Sequence, residues 1–152
     1  MLKTASTERG FSLSELLVVV GLIMVLSVVA VPSVLTYWRT SSLTAGAEQL
    51  AGVMNRARQL AISTNNSVCV QVTGSNVRLR TVSCAGTIWT GIGTDSTGVI
   101  QIANSLQVSG GTSAIFTNIG GASTTATYTL TDPKTGRTRS VVVAATGRVT
   151  IQ

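Results

Sequence analysis

Two hydrophobic patterns follow one another in the first 64 residues. Residues 16–38 contain no charge, and a helix over this range, at about 1.5 Å per residue, is long enough to cross the apolar core of a bilayer. Beyond Pro32 the apolar residues recur at spacings of three and four, which is typical of one face of an amphipathic helix. That face consists of Leu43, Ala47, Leu50, Met54, Ala57 and Ala61. The two patterns together predict one long helix over residues 12–64.

From residue 68 onward the period changes to two, which is typical of strands with one buried face. The segments "SVCVQV" and "VRLRTV" flank the turn sequence "GSN" and predict a hairpin. Residues 85–98 are predicted to form an irregular loop in which Trp89 is the large packing residue. A long N-terminal helix packed on an antiparallel sheet is an α+β fold. Further strands are predicted at 99–108, 113–118, 125–131, 138–145 and 148–151, with "DPKTG" at 132–136 as a turn.

The composition argues against an enzyme. Histidine, the commonest general base and metal ligand, is absent, and only 11% of the residues are charged. The acids are scattered along the chain, so no pair of them is suited to acid–base catalysis. We therefore expect no catalytic activity, no cofactor and no metal site. The net charge of +6 permits contact with anionic partners but does not identify one.

The apolar segment has a charged residue near its start. The sequence "RGFSLSELLVVVGLIMVLSVVAVP" places Glu15 where an ionisable side chain is costly within hydrocarbon. Lys3 and Arg9 precede the span, so the first ten residues should stay cytoplasmic and the rest should be exported. A secretory signal cut near Ala30 would have a shorter apolar core. A plain transmembrane anchor explains the length of the segment but leaves Glu15 unexplained.

This segment closely resembles the class III signal of type IV pilins and type II secretion pseudopilins. The resemblance implies that a prepilin peptidase cuts after Gly10 and that Phe11, the new N-terminus, is N-methylated. Glu15 then occupies the fifth mature position, where the family has its glutamate. Pro32 occupies the position of a helix-kinking proline found in many pilins.

The same resemblance divides the chain and implies its location. Residues 1–10 are expected to be a cytoplasmic leader and residues 11–38 a helix that spans the bacterial inner membrane once or lies in a filament core. Residues 39–152 are expected to be a periplasmic pilin-like head, helical to about residue 64 and then rich in strands. The expected partners are the prepilin peptidase and methyltransferase, the inner membrane, and other pilin subunits, which are contacted through the N-terminal helix.

Physical reasoning agrees with an assembly role for Glu15. A mature α-amino group is a cation with a pKa of about 8. This group, or the terminus of a neighbouring subunit, can pair with the carboxylate and offset the cost of its burial. In the alternative, Glu15 lies at headgroup level and reaches water directly. Pro32 removes a helix hydrogen bond, which produces a simple bend or permits local melting when the subunit moves from membrane to filament.

The string "MNRARQLAISTNNSVCVQV" and the closing "TGRVTIQ" resemble the GspH/FimT branch of minor pseudopilins and pilins. This resemblance implies a structural subunit of a type II secretion pseudopilus or a type IV pilus, located near the tip and priming assembly.

Cys69 and Cys84 are the only cysteines. In an exported head they would enter an oxidising space and form one disulfide. A bond across 15 residues contributes about 3 kcal/mol in a chain-entropy estimate. The alternative is two buried thiols.

Three arginines near the C-terminus are candidates for binding DNA. Arg137 and Arg139 lie two residues apart in "GRTR", on one face if this is a strand. Arg148 precedes Val149 and Ile151, which are expected to face inward. Guanidinium groups grip phosphates bidentately. Some FimT-like pilins bind DNA during natural transformation through a terminal G-R-x-R motif, of which "GRVT" keeps the first arginine only. In the alternative, these arginines are solvated strand-edge residues that oppose aggregation.

Overall fold

The computed structural model describes residues 11–103 and 105–152, the side chain of Val29 excepted. The predicted long helix is confirmed: α1 runs from Leu13 to Ser63 and ends in the Asn- and Ser-rich turn. Gly10 and the rest of the predicted leader lie outside the described residues. The chain divides into two compact units between Arg39 and Thr40. The second unit, residues 40–152, is called the head below.

The first unit contains the apolar half of α1. All of its described large hydrophobic side chains, from Phe11 to Trp38, are exposed to solvent. For the purpose of a membrane span, α1 consists of two parts, Leu13–Val28 and Ala30–Ser63, which are bent relative to each other. No single helix in the described part of the chain has the length and hydropathy of a membrane span, but these two parts meet both requirements together. The break between them falls in the turn before Pro32, where a proline removes a hydrogen bond and its ring opposes the carbonyl of the preceding turn.

The head combines the second half of α1 with two antiparallel sheets. The strands that its described residues form are β1 (Val68–Thr73), β2 (Asn76–Thr81), β3 (Val99–Gln101), β4 (Gln107–Gly110), β5 (Ala114–Phe116), β6 (Ala122–Thr124), β7 (Ala126–Thr131), β8 (Thr138–Val143) and β9 (Val149–Ile151). The first sheet has the order β3-β2-β1-β5-β6 and the second has the order β4-β7-β8-β9. The predicted hairpin is confirmed, since β1 pairs with β2 along its whole length. The α+β architecture is therefore the predicted one.

One hydrophobic cluster joins α1 to both sheets. All six helix residues of the predicted apolar face are at most 3% exposed. They share the cluster with Val70 and Leu79 of the first sheet and Leu130 of the second. Gly46 permits the close approach of the helix, because a Cβ at this position would overlap the side chain of Leu106. Burial of a leucine or methionine side chain contributes about 1.5–3 kcal/mol, so Leu43, Leu50 and Met54 make this helix face a main source of head stability.

Tyr128 links the two sheets by hydrogen bonds. Its side chain is 1% exposed, and its hydroxyl donates to the Thr112 carbonyl over 3.1 Å. The same hydroxyl accepts the N–H of Ala114, in β5 of the first sheet, over 2.9 Å. Burial raises the pKa of Tyr128, which the bond from Ala114 partly opposes. The hydroxyl is thus neutral and fully engaged near neutral pH.

Three details of the strand prediction are wrong. The predicted strand at 99–108 is two strands in different sheets, with β3 ending at Gln101. The backbone beyond it bonds to a helix side chain instead of a strand, since Gln49 donates to the Gln101 carbonyl and accepts the Ala103 N–H, both over 3.0 Å. Strand β6 has no counterpart in the prediction. Ile151, expected to face inward, is 37% exposed because β9 is an edge strand.

Candidate assembly and binding surfaces

The start of α1 carries the residues of the predicted processing signal. Ser12 precedes the first helical residue and Glu15 lies in the first turn, so the two occupy the positions of a capping box. The Ser12 N–H donates to Glu15 Oε2 over a long 3.4 Å bond, and Phe11 is 82% exposed beside it. Glu15 therefore caps its own helix within one turn of Phe11. The signal for this cap, a serine followed three residues later by a glutamate, is present in the sequence but was missing from the prediction.

The two cysteines form a disulfide beside the hairpin, which confirms the predicted bond. The Cα atoms of Cys69 and Cys84 are 5.0 Å apart, and Cys69 is fully buried in β1. Polar bonds secure the segment around Cys84. Arg80 Nε donates to Gln71 Oε1 over 2.7 Å, and Gln71 Nε2 donates to the Cys84 carbonyl over 2.9 Å. Arg80 also donates from Nη1 to the Gly86 carbonyl over 2.8 Å.

The irregular loop at 85–98 is anchored by Trp89, which packs against the core as predicted. The Trp89 N–H donates to the Leu79 carbonyl over 2.9 Å. The guanidinium of Arg56 lies over the indole ring, 4.8 Å from its centroid, in a cation–π contact. Arg56 lies off the apolar stripe of α1, and its contact with Trp89 fixes the loop against the helix.

The three candidate DNA-binding arginines do not lie together. Arg137 lies in the turn between β7 and β8, where its Nη1 donates to Thr40 Oγ1 over 2.6 Å. Arg139 is half-buried in β8, and Arg148 is exposed in the turn at the other end of that strand. At about 3.3 Å per residue, β8 places about 20 Å between its two ends. One phosphate therefore cannot contact Arg137 and Arg148 together. Arg139 pairs with Leu130 of β7, whereas β9 pairs only with residues 141–143, so β8 has one neighbouring strand at Arg139.

These positions define two ends of the head. The end at which α1 enters the head, at Thr40, is called the entry end. The end at which α1 terminates, at Ser63, is called the far end. The turn between β7 and β8 lies at the entry end, because Arg137 bonds to Thr40.

Arg58 is a basic residue of the far end that sequence reasoning missed. Its Nε atom is buried and has no hydrogen-bond partner among the described residues. Two turns enclose it, since a Cβ built on Gly120 or on Gly147 would lie 3.2 Å from Arg58 Nε. Gly147 directly precedes Arg148, so both basic residues adjoin the same turn. No local sequence signal reveals this, because the fold brings together segments that are far apart along the chain.

The titratable groups of the described residues do not form a metal site. Among the residues that the structure describes, no three His, Cys, Asp or Glu side chains are grouped as metal ligands. The carboxylate of Asp95 is occupied by its own turn, where Oδ1 accepts the N–H groups of Val99 and Thr97, each over 2.8 Å. The hydrogen bond from the Val99 N–H lowers the pKa of Asp95 most, and the bond from the Thr97 hydroxyl has the next largest lowering effect. This group therefore stabilises a turn and is not free to bind a ligand.

Comparison with known proteins identifies the family. The sequence model of the family described as type II transport protein GspH matches residues 46–147, more than half of the chain. The chain belongs to the GspH family of minor pilins and pseudopilins. It is a family of structural subunits and not of enzymes. No curated protein sequence matches the chain.

Solved structures of low sequence identity share the fold of the GspH-family chain. The type IV minor pilin FimU of Pseudomonas aeruginosa is 20% identical, over 76% of this chain and 92% of that chain, with a TM-score of 0.58. The minor pseudopilin EpsH from the type 2 secretion system of Vibrio cholerae is 10% identical, over 73% of this chain and 96% of that chain, with a TM-score of 0.57. The solution structure of GspH from E. coli is 11% identical, over 74% of this chain and 88% of that chain, with a TM-score of 0.58. These likenesses show the pilin-like fold.

Proposed function

We propose that this GspH-family protein is a structural subunit of a type II secretion pseudopilus or a type IV pilus, held in the inner membrane by the first half of α1 with its head in the periplasm. The observation that carries the proposal is the exposure of every described large apolar side chain from Phe11 to Trp38. Soluble monomers rarely expose a continuous apolar surface of this size. A bilayer covers this surface before assembly, and the helices of other pilin subunits cover it in the filament.

The proposal includes maturation of the N-terminus. A prepilin peptidase cuts after Gly10, and Phe11 becomes the N-methylated terminus. The position of Glu15 supports this step, because its carboxylate already lies in the first turn of α1 and accepts the Ser12 N–H. A new α-amino group on Phe11, or on a neighbouring subunit, is a cation that pairs with this carboxylate. Cleavage thus supplies the charge partner of Glu15.

The proposal also places the subunit near the tip of the filament, where it primes assembly. Membership of a minor-pilin family supports this position. The tip occurs once in each filament, so a subunit that is present in few copies is sufficient to occupy it. Deletion of the subunit should then reduce the number of filaments more than their length, as counted by electron microscopy.

Mass spectrometry of the protein from native membranes tests the maturation step. We expect an N-terminal peptide that begins at N-methylated Phe11. Glu15→Ala should be cut but should fail to enter filaments. Glu48→Ala removes an exposed acid from the head half of the same helix and should enter them normally. An N-terminus near Ala30, as a secretory signal would leave, refutes the proposal.

A second function, reception of DNA during natural transformation, is favoured by the far end of the head. There Arg148 is exposed, and the neighbouring Arg58 has a buried Nε without a partner among the described residues. We propose DNA binding at this end as the alternative. Binding of duplex DNA to the full chain in detergent, across a salt series, tests it. Arg148→Gln should weaken the affinity and reduce the salt slope by about 1, whereas Arg137→Gln at the entry end should change neither. Absence of binding at low salt would refute this function.

A further inference from the structure

A basic surface lies at the entry end of the head, in the turn between β7 and β8. It contains the exposed Lys134 and Arg137 and the half-buried Arg139, and these three residues are called the basic turn. The acid of this segment, Asp132, directs its carboxylate at the turn itself. Its Oδ1 accepts the Lys134 N–H over 2.9 Å, and its Oδ2 accepts the Thr135 hydroxyl over 2.7 Å. The turn therefore contains three cations and one carboxylate, and that carboxylate accepts hydrogen bonds from the turn itself.

The backbone of the basic turn is held in one conformation. The Gly136 N–H donates to the Asp132 carbonyl over 2.8 Å, and the Asp132 N–H donates to the Arg137 carbonyl over 3.0 Å. Gly136 has a φ of 68°, which glycine adopts without a steric cost. Arg137 then joins the turn to the helix through its 2.6 Å bond to Thr40. The charges are thus presented by an ordered turn at a fixed place on the head.

Chain connectivity places this turn close to the end of the apolar segment. Trp38 is the last residue of the uncharged run, and Thr40 follows two residues later. At about 3.8 Å between consecutive Cα atoms, Thr40 is within about 8 Å of Trp38. Tyr37 and Trp38 carry the amphipathic rings that are enriched at the headgroup level of membranes. An inserted apolar segment therefore brings the basic turn to the headgroup region.

We propose that the basic turn binds the headgroups of anionic phospholipids and fixes the height of the head above the bilayer before assembly. This inference rests on the membrane anchoring proposed above. Guanidinium groups pair bidentately with phosphate oxygens, and lysine binds them as a point charge. Each basic residue near an anionic surface raises the affinity by a factor of about five. Protection of a sheet edge does not explain Lys134 and Arg137, because both lie in the turn outside the strands.

Hydrogen exchange of the full chain in nanodiscs tests this inference. The readout is the exchange rate of the peptide spanning residues 132–140. The rate is compared between discs of phosphatidylcholine alone and discs that also contain phosphatidylglycerol. We expect exchange to slow at least about five-fold with phosphatidylglycerol at low ionic strength, and the difference to disappear at high salt.

Two sets of substitutions separate this surface from the general charge of the head. The triple variant Lys134→Gln/Arg137→Gln/Arg139→Gln should lose the lipid dependence. The control variant Arg78→Gln/Arg148→Gln removes two exposed cations elsewhere on the head and should retain it. Arg137→Lys keeps the charge while it changes the bond to α1, and it should also retain the lipid dependence. Loss of the dependence in Arg137→Lys would show that packing, and not charge, controls the exchange rate, and would overturn the inference.

Insertion of the chain is measured separately, by extraction of vesicles with alkali. A chain that does not insert overturns the proposed anchoring and this inference together. An inserted chain whose exchange is independent of phosphatidylglycerol overturns this inference alone. Equal slowing by short duplex DNA in phosphatidylcholine discs would assign the basic turn to nucleic acid and overturn the lipid assignment.

Discussion

Glu15 caps the start of α1 and is the proposed charge partner of the mature N-terminus. In the uncut chain its carboxylate accepts the Ser12 N–H. A carboxylate in the first helical turn also interacts favourably with the helix dipole, by about 0.3–1 kcal/mol at an exposed site. The proposed cut after Gly10 would add an α-amino group on Phe11, within one turn of the same carboxylate. One side chain would thus stabilise the helix start before the proposed cleavage and form an ion pair after it.

Gly147 and Gly136 form a matched pair for testing the packing of the far end. Both have left-handed backbone, with φ of 76° and 68°. A Cβ on Gly147 would overlap the Gly120 carbonyl oxygen, whereas a Cβ on Gly136 would meet nothing within 4 Å. We expect Gly136→Ala to lower the free energy of unfolding by about 1–2 kcal/mol, the cost of the backbone conformation alone. Gly147→Ala should lower it further in urea unfolding, and equal losses would contradict the contact between the two turns.

Asp95 predicts a local pH dependence with a definite sign. Its pKa lies below the ordinary value of 3.8, chiefly because its carboxylate accepts the Val99 N–H. A group with a lowered folded pKa contributes stability above its unfolded pKa and loses it as the pH falls through the folded pKa. We expect the Val99 amide resonance to titrate with a midpoint below 3.8. In Asp95→Asn this titration should vanish, and its persistence would assign the shift to another group.

At the scale of elements, the disulfide should contribute stability by restricting the unfolded chain. The bond between Cys69 and Cys84 spans 15 residues, for which the chain-entropy estimate is about 3 kcal/mol. Reduction of the head should therefore lower the free energy of unfolding by about this amount, measured in urea with and without dithiothreitol. The variant Cys69→Ala/Cys84→Ala is the control and should not respond to the reductant. A wild-type protein that also fails to respond would show that the unfolded chain is already compact.

The helix and the hairpin were predictable because their periods persist for many residues. The helix stripe holds for about five turns, from Leu43 to Ala61, and every member of it is buried. Alternation also holds through 99–108, since the even-numbered apolar residues there are buried, namely Ile100, Ile102, Leu106 and Val108. Alternation reports burial but not the identity of the backbone partner. The Gln49 side chain bonds to the backbone of Gln101 and Ala103 where a strand partner would, and β3 ends at Gln101.

Candidate sites formed by neighbouring residues in the sequence were predictable, whereas sites that the fold assembles from distant segments were not. The residues around Phe11 and Glu15 form one contiguous motif, and the structure places them within one helical turn. The arginines were not predictable from spacing, because Arg139 lies near the start of β8 and Arg148 lies in the turn beyond its other end. The environment of Arg58 was not predictable either, because the two glycine turns that enclose it are far from it along the chain. Strand β6 is a three-residue edge strand whose apolar content is one alanine, too little to produce a pattern.

At the scale of the molecule, the division between Arg39 and Thr40 predicts a head that folds alone. The hydrophobic cluster is formed by residues between Leu43 and Val143, all within the head. We expect a chain of residues 40–152 to be a soluble monomer that unfolds cooperatively, whereas the full chain should require detergent or lipid. Sedimentation velocity and urea unfolding measure the two properties. Aggregation of the isolated head, or a gradual transition, would show that the apolar segment contributes to its core.

The way in which α1 enters the core has a mechanical consequence. Its buried residues extend along about five turns and contact one cluster that includes both sheets. A force along the helix axis therefore acts on all of these contacts at once, in shear, and does not peel them away one after another. Rupture in this direction requires the simultaneous loss of the whole interface. A pull on the N-terminal half of α1 would thus be distributed over the whole interface between the helix and the two sheets.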